Sequence, residues 1–216
     1  PEPLGSMMKD LIERRLADPT LPMEEAFSQH LKEEELELPA GQFALFMNSM
    51  YAVDAYVRDY FRKAALDALL AEKLPVTVFG EGWEKYSCGD GHSLRREPAV
   101  PFALSFERIA KAHVLLNVSP IFNRGMHDRV PAGMANHAVV LTDENPYLRR
   151  TFTGGKELLF YSLEKPDTLC EQAERALTDV RLREKIAASA YETFEREYTW
   201  KRRAEQILAF AEEVEA

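Results

Sequence analysis

The polar and charged side chains that could bind an anion are concentrated between residues 117 and 143. They comprise two hydroxyls, two amides, two carboxylates, two guanidiniums, one imidazole and a glycine, namely Asn117, Ser119, Asn123, Arg124, Gly125, His127, Asp128, Arg129, Thr142 and Asp143. A guanidinium presents paired N–H donors that fit phosphate oxygens, and a glycine allows the backbone to approach a ligand closely. This combination predicts a site for a ligand that carries phosphate groups.

Two apolar segments must position these side chains. Residues 114–118 and 138–142 are short, continuous apolar runs, which are typical of parallel strands buried on both faces. A short helix is predicted between them over 129–136, and a third strand follows at 157–161. Ligands of open parallel sheets bind at the carboxyl ends of the strands and at helix N-termini. We therefore expect the polar residues to surround one cleft.

A further predicted strand, 76–79, ends at Gly80, Gly82 and Trp83. The two glycines permit a sharp turn or a close backbone approach to a ligand. Trp83 has two interpretations, stacking on the ring of a ligand and packing against the edge of the sheet. The GxG pattern without a third glycine is not a dinucleotide fingerprint.

The alternation of strands and helices from 75 to 161 predicts an α/β fold with a doubly wound parallel sheet of about five strands. Residues 7–74 are predicted to be a helical N-terminal extension, and helices follow residue 161 to the end of the chain. Ser105 is expected to cap a helix over 105–112, Asn145 the helix opened by Pro146, and Thr199 the last helix, with Trp200 as a packing residue. Residues 1–6 are interpreted as a cloning remnant, and 75–216 as the main domain.

Composition excludes several classes of protein. The net charge is −9, from 36 acidic and 27 basic residues, whereas a nucleic-acid binder carries a basic excess. No apolar run approaches the roughly 20 residues that span a bilayer. Cys88 and Cys170 form no disulfide framework, so we expect a cytoplasmic protein. The CGDGH segment at 88–92 predicts a turn, and no second ligand pair follows it, so we expect no metal site.

Five segments, taken in order, resemble the C-terminal half of GT-B glycosyltransferases and in particular the spore-maturation CgeB-like group. They are GEGW (80–83), AKAHVLLNVSP (110–120), HDRVPAGMANHAVVLTD (127–143), GKELLFY (155–161) and REYTWKRRAEQIL (196–208). The resemblance covers about residues 54–208. It implies a Rossmann-like domain that binds a nucleoside diphosphate sugar as donor substrate, with no cofactor. It also implies metal-independent transfer to an acceptor. The acceptor would be held by another half, in cis or in trans, because residues 7–74 are too few and too helical to form that half.

The chain departs from the family pattern at two glutamates. Retaining GT-B enzymes carry them eight positions apart, and the second contacts the ribose of the donor; here the two positions hold Arg124 and Ala132. Ribose recognition is then expected from Asp128 or Asp143. Two alternatives to a transferase stay open. One is a catalytically silent binding or assembly module, and the other is a nucleotide-sugar epimerase of GT-B shape.

The resemblance and the chemistry together suggest roles. Arg129 and Arg124 are expected to stabilise the departing diphosphate, together with the N-terminus of the helix over 129–136; the alternative is that Arg129 pairs with Asp128 or another carboxylate. His127 and Asp128 are the candidate catalytic residues, although His127 could be a structural loop residue and Asp128 a helix N-cap worth about 1 kcal/mol. The expected donor contacts are Gly80, Gly82, Trp83, Asn117, Ser119, Asn123, Arg124, Gly125, Arg129, Thr142 and Asp143.

Overall fold

The computed structural model describes residues 2–87, 93–120, 122 and 124–215. The predicted site residue Asn123 and the predicted turn at 88–92 lie outside this part of the chain. Within it the elements are, in chain order, α1 (Glu2–Ala17), α2 (Met23–Glu33), α3 (Ala40–Ser49), α4 (Tyr51–Ala71), β1 (Val76–Phe79), a 3-10 helix (Trp83–Lys85), β2 (Leu94–Glu97), α5 (Phe102–Ile109), β3 (Val114–Asn117), α6 (Arg129–Ala135), β4 (Val139–Asp143), α7 (Pro146–Thr151), β5 (Leu159–Tyr161), α8 (Pro166–Thr178), α9 (Val180–Glu197) and α10 (Trp200–Glu215).

The strands form two parallel sheets. β1 pairs with β2, from Val76 opposite Leu94 to Phe79 opposite Glu97, and β4 lies between β3 and β5 in the second sheet. Parallel strands joined by helices agree with the predicted α/β class. The prediction of one sheet of about five strands is wrong, because within the described residues the edges of β1 and β3 do not pair and a cavity lies between them.

Helices cover both faces of the second sheet. Successive residues of a strand point to opposite faces, so Val139 and Leu141 of β4 lie in a core shared with α4 and α8. Val140, between them, packs with Val130 and Met134 of α6 on the other face. Burying one such side chain contributes about 1.5–3 kcal/mol. The two covered faces explain why β4 is apolar along most of its length.

The helices α1, α2 and α4 form a layer on one face of the second sheet. Leu11 of α1, Phe27 of α2 and Val57 of α4 belong to the same buried cluster as the residues of β4 on that face. The buried guanidinium of Arg15 in α1 pairs with Asp54 of α4 and ties the two helices together. The N-terminal helices thus share a core with the second sheet, and α1 packs on α4, which packs on α8. Their assignment to a separate extension, 7–74, stays a prediction.

Two helix starts test the capping predictions. The Asn145 side chain accepts a hydrogen bond from the Leu148 N–H at 2.8 Å, so the predicted cap of α7 is confirmed. α5 begins at Phe102, earlier than predicted. The carbonyl of Pro101 already accepts the first helical N–H groups, including that of Ser105 at 3.2 Å. Ser105 therefore lies inside the helix, and the prediction that it caps α5 is wrong.

The C-terminal helix α10 lies largely outside the core. The Thr199 hydroxyl accepts the Arg202 N–H at 3.3 Å, which confirms Thr199 as the cap. Trp200, however, is 89% exposed, so the prediction that it packs is wrong. Ile207 and Phe210 of α10 are exposed as well, so Trp200 belongs to a helix whose apolar side chains face outwards. No helix in the described part of the chain is both long and apolar enough to cross a membrane.

Candidate functional site

Four predicted site residues form a buried polar network at the carboxyl ends of β3 and β4. The Asn117 amide donates to the Thr142 hydroxyl at 2.9 Å, and the Ser119 hydroxyl donates to Asn117 Oδ1 at 3.0 Å. The backbone N–H of Ser119 donates to Asp143 Oδ1 at 2.7 Å. Asn117 and Thr142 are opposite one another in the parallel register, which explains why residues 25 positions apart meet. The network satisfies these groups with protein partners and makes this end of the sheet rigid.

Arg129, the first residue of α6, lies on this network. Its Nε donates to Asn117 Oδ1 at 2.8 Å, and its Nη2 donates to the Ser119 hydroxyl at 3.2 Å and to the Val118 carbonyl at 3.4 Å. All three acceptors are neutral. No carboxylate oxygen of the described residues lies within 4 Å of the Arg129 guanidinium. The structure therefore holds a half-buried positive charge in a fixed orientation without an ion-pair partner.

The ionisable groups around Arg129 reflect burial. Burial raises the pKa of the Asp143 carboxyl to about 7, although the Ser119 N–H bond opposes the shift. Burial also raises the pKa of Tyr161, whose hydroxyl donates to the Asn117 carbonyl at 3.0 Å. The pKa of Arg129 is lowered, first by burial and then by the positive charge of Arg62. The charges of Asp128 and Asp143 oppose the lowering of the Arg129 pKa but do not outweigh it.

His127 and Asp128 precede α6. The Arg129 backbone N–H donates to His127 Nδ1 at 3.2 Å, and the same nitrogen lies against the Asp128 carboxylate. The pKa of His127 is lowered by burial and then by the charge of Arg129. The lowered pKa favours a neutral ring, which has two tautomers. In one, Nδ1 accepts the Arg129 N–H bond; in the other, Nδ1–H faces the Asp128 carboxylate and Nε2 is the nitrogen that can accept a proton. Asp128 is in the N-cap position of α6, but its side chain makes no cap hydrogen bond, so that interpretation is wrong.

The loop before His127 points away from the network. Arg124 is 73% exposed and forms an ion pair with Glu25 of α2. The Asn145 amide donates to the carbonyls of Phe122 at 2.8 Å and Gly125 at 3.2 Å, and so holds the loop against the start of α7. Thus the structure brings Arg129, but not Arg124, to the polar network.

A cavity of about 920 Å³ lies between the unpaired edges of β1 and β3, and we call it the strand-edge cavity. Arg129 lines it together with apolar residues of both strands and of α4, including Leu66, Val78 and Leu116. Trp83 lines it too, and its ring packs edge-to-face on Tyr86 with centroids 6.2 Å apart. Its lining also includes Arg95, Arg108, Lys111 and the carboxylate of Glu97. One cavity therefore combines mostly cationic charged groups with an aromatic ring and apolar side chains.

Gly80 and Gly82 carry the chain from β1 to Trp83. Their φ angles are +119° and +90°, values that L side chains rarely adopt, so glycine is required at both positions. Neither glycine lines the strand-edge cavity. Their role in the structure is to form the turn that places Trp83.

Arg62 of α4 is not among the predicted site residues, yet it lines the strand-edge cavity with Arg129. Arg58 and Arg62 continue at four-residue spacing into Leu66 and Leu70, which are buried. Residues four apart lie on one face of a helix, so these arginines extend a packed row of side chains. That spacing is the signal in the sequence that could have identified them.

Comparison with known proteins identifies the family of this chain. The model of a family described as glycosyl transferase-like matches residues 58–209. The chain belongs to the glycosyl transferase-like family. Within this glycosyl transferase-like chain, the matched region begins in α4 at Arg58 and extends into α10. None of the curated proteins is significantly similar to it in sequence.

Solved structures with a similar fold include Anabaena Alr3699/HepE in complex with UDP-glucose, with UDP and glucose, and with UDP. The identity is 12%, 12% and 11%, and the TM-score is 0.58 in each case. The match covers 69% of this glycosyl transferase-like chain and 44% of HepE, so the chain spans less than half of the protein it resembles. The predicted Rossmann-like half of a GT-B glycosyltransferase is confirmed as a fold, and the CgeB-like subgroup stays a prediction.

Proposed function

We propose that this domain binds the diphosphate of a nucleoside diphosphate sugar and presents the sugar for transfer to an acceptor. One observation carries the proposal: Arg129 lies at the carboxyl end of β3 and lines a cavity, and it is held by neutral acceptors with no carboxylate partner among the described residues. A half-buried charge without a partner is costly unless a ligand of opposite charge occupies the site. In a protein of net charge −9, such a local positive group favours an anionic ligand.

The cavity fits such a donor. Its volume, about 920 Å³, is within the range of small-molecule sites. The guanidinium of Arg129 would bind phosphate oxygens, while Trp83 and the apolar wall would accommodate the less polar part of the ligand. The HepE crystal structures contain UDP and UDP-glucose, which supports a donor of the same class here.

In the transfer step the bond between the anomeric carbon and the β-phosphate oxygen breaks, and its electron pair remains on the diphosphate. The acceptor hydroxyl oxygen forms the new bond to the anomeric carbon and gives up its proton. Arg129 would stabilise this developing charge, because its donors are oriented before the reaction begins. The helix N-terminus contributes less than the sequence predicts, since α6 has only seven residues. We assign Asn117 and Ser119 the role of orienting Arg129, because their oxygens accept its hydrogen bonds.

His127, with its lowered pKa, is the candidate to accept the proton of the acceptor hydroxyl. Asp128, exposed next to it, is the second candidate. The acceptor itself would be held by another half, in cis or in trans, since the chain matches only 44% of HepE.

Two experiments test the proposal. Titration calorimetry of the chain with UDP and with GDP should show binding of at least one nucleotide, and binding of neither would refute the donor site. Incubation with the matching nucleotide sugar and an acceptor extract should release the nucleoside diphosphate. Interconversion of the sugar without such release would indicate an epimerase.

A silent binding module is the second candidate, and one observation favours it. Arg124, which occupies the position of a family glutamate, is paired with Glu25 rather than directed to the cavity. The position of the second glutamate is Ala132, which has no polar side chain. Under this hypothesis the nucleotide binds, but no acceptor extract causes its release.

A further inference from the structure

Two arginines of α4 are not used by the site described so far. Arg58 and Arg62 are four residues apart on the helix and precede the buried Leu66 and Leu70 on the same face. Arg62 lines the strand-edge cavity together with Arg129. The positive charge of the two α4 arginines requires a balancing group.

The protein itself supplies little compensation. In the described part of the chain, the carboxylate within 4 Å of either guanidinium is Asp59, at 3.8 Å from Arg62 Nη1 and 3.9 Å from Arg58 Nε. Both distances exceed hydrogen-bonding range, and the Asp59 side chain is 72% exposed. Arg58 Nε is buried without a hydrogen-bond partner among the described residues. A buried donor left without an acceptor is unfavourable, but Arg58 is not among the described residues that line the strand-edge cavity, and its guanidinium carbon lies 6.0 Å from the centroid of the Tyr51 ring. Of the two arginines, Arg62 is therefore the one placed to bind a ligand in the cavity.

The positive groups also act on one another. The pKa of Arg62 is lowered by burial and then by the charge of Arg58, and the charge of Arg62 in turn lowers the pKa of Arg129. Arg62 also lowers the pKa of His127. Arg62 of α4 and Arg129 of α6 line the same cavity, so an anion placed between them would relieve the repulsion of their charges.

We infer that Arg62 is a specificity-determining residue that pairs with Arg129, so that the two guanidiniums grip adjacent phosphate groups. Arg129 binds one phosphate from the end of β3, and Arg62 binds the other from α4. The site then selects a diphosphate over a monophosphate of the same nucleoside, because only the diphosphate reaches both cations. This inference rests on the proposed function and extends it to a helix that precedes the first strand.

The test compares the affinities for UDP, UMP and inorganic pyrophosphate by titration calorimetry, with GDP and GMP in place of the uridine nucleotides if the domain prefers guanine. The Arg62→Met variant keeps the methylene stem that packs near Leu66 and removes the charge. We expect it to weaken diphosphate and pyrophosphate binding at least tenfold while UMP binding changes less than threefold. Arg129→Met should weaken all three ligands.

Two further variants complete the design. Arg196→Met removes an exposed arginine of α9 that pairs with Glu197, and it should leave every affinity unchanged. Arg62→Lys keeps a point charge without the paired donors, so we expect an intermediate loss of diphosphate affinity. If Arg62→Met shows no cooperative thermal transition, the lysine variant serves as the test instead. Wild-type diphosphate affinity in Arg62→Lys would then overturn the inference.

The outcomes separate the two proposals. If Arg129→Met loses the diphosphate and Arg62→Met binds it like the wild type, the role of Arg62 is overturned and the donor site stands. If the wild type binds no nucleotide but binds pyrophosphate through both arginines, the pairing of Arg62 with Arg129 stands and the donor proposal fails. If neither variant changes any affinity, both are overturned.

Discussion

Replacing Arg129 by methionine separates ligand binding from folding at this site. In the protein, the guanidinium makes hydrogen bonds only to neutral oxygens, and no carboxylate of the described residues loses a partner when it is removed. Asn117 Oδ1 keeps the Ser119 hydroxyl as donor at 3.0 Å, whereas the Val118 carbonyl loses the Arg129 donor, which lies at 3.4 Å. Loss of the hydrogen bonds is offset by removal of a half-buried charge. We therefore expect the free energy of unfolding to change by less than about 1 kcal/mol.

Binding should respond far more strongly. A hydrogen bond to a charged group contributes about 1.5–3 kcal/mol, and 1.4 kcal/mol corresponds to a tenfold change in Kd. We expect Arg129→Met to weaken the binding of the diphosphate by at least tenfold, measured by titration calorimetry at low salt with a urea melt as the stability control. An unchanged Kd would refute the assignment of Arg129. A loss of binding that accompanies an equally large loss of stability would show that Arg129 acts on the fold instead.

Three further predictions concern the elements that position the site. Because burial raises the pKa of Asp143 to about 7, the carboxyl contributes stability below the unfolded pKa of about 3.9 that is lost as the pH rises towards 7. Asp143→Asn should therefore be more stable than the wild type at pH 8, by up to a few kcal/mol, with a smaller difference at pH 4 in urea melts; a pH-independent difference would contradict this. Gly133→Ala places a methyl 2.4 Å from Val140 Cγ2, so we expect the free energy of unfolding to fall by about 1–3 kcal/mol. Nucleotide binding should also weaken, because α6 carries Arg129. A wild-type melting temperature would show that α6 can shift to accept the methyl. Asn145→Ala removes the cap of α7 and both bonds to the loop at Phe122 and Gly125, and thermal melts should show a loss of about 1–2 kcal/mol. The comparison is Asn136→Ala at the end of α6, whose half-buried amide donates to the Ala132 carbonyl at 2.8 Å and which should lose less.

Local patterns account for much of the fold. The apolar run of β4 predicts a strand covered on both faces, and Val140 and Leu141 do lie in different clusters on its two faces. Asn145 before Pro146 predicts a helix start, because a short amide side chain and a proline satisfy the first turn locally. Such features depend on neighbours within a few residues, and the sequence contains them explicitly.

Local patterns did not predict how distant segments pair. Both β1 and β3 are recognisable as strands, but whether their edges meet depends on the packing of distant helices: α4 contacts β1, α8 contacts β3, and the two helices contact each other. The exposed Trp200 is a similar case, because its aromatic ring is as suitable for a core as for a surface. Hydrophobicity alone does not specify which surface is available to cover it.

The chain by itself determined that polar and cationic groups would gather at the ends of two parallel strands, because strand direction brings Asn117 and Thr142 to the same edge. Only the tertiary structure decided which arginine is available to a ligand. Arg124 is paired with Glu25, 99 residues earlier, while Arg129 keeps neutral partners and shares a cavity with Arg62. The physical reason is that a guanidinium is directed by whichever oxygen the packing of distant helices brings within reach, and no local spacing encodes that choice.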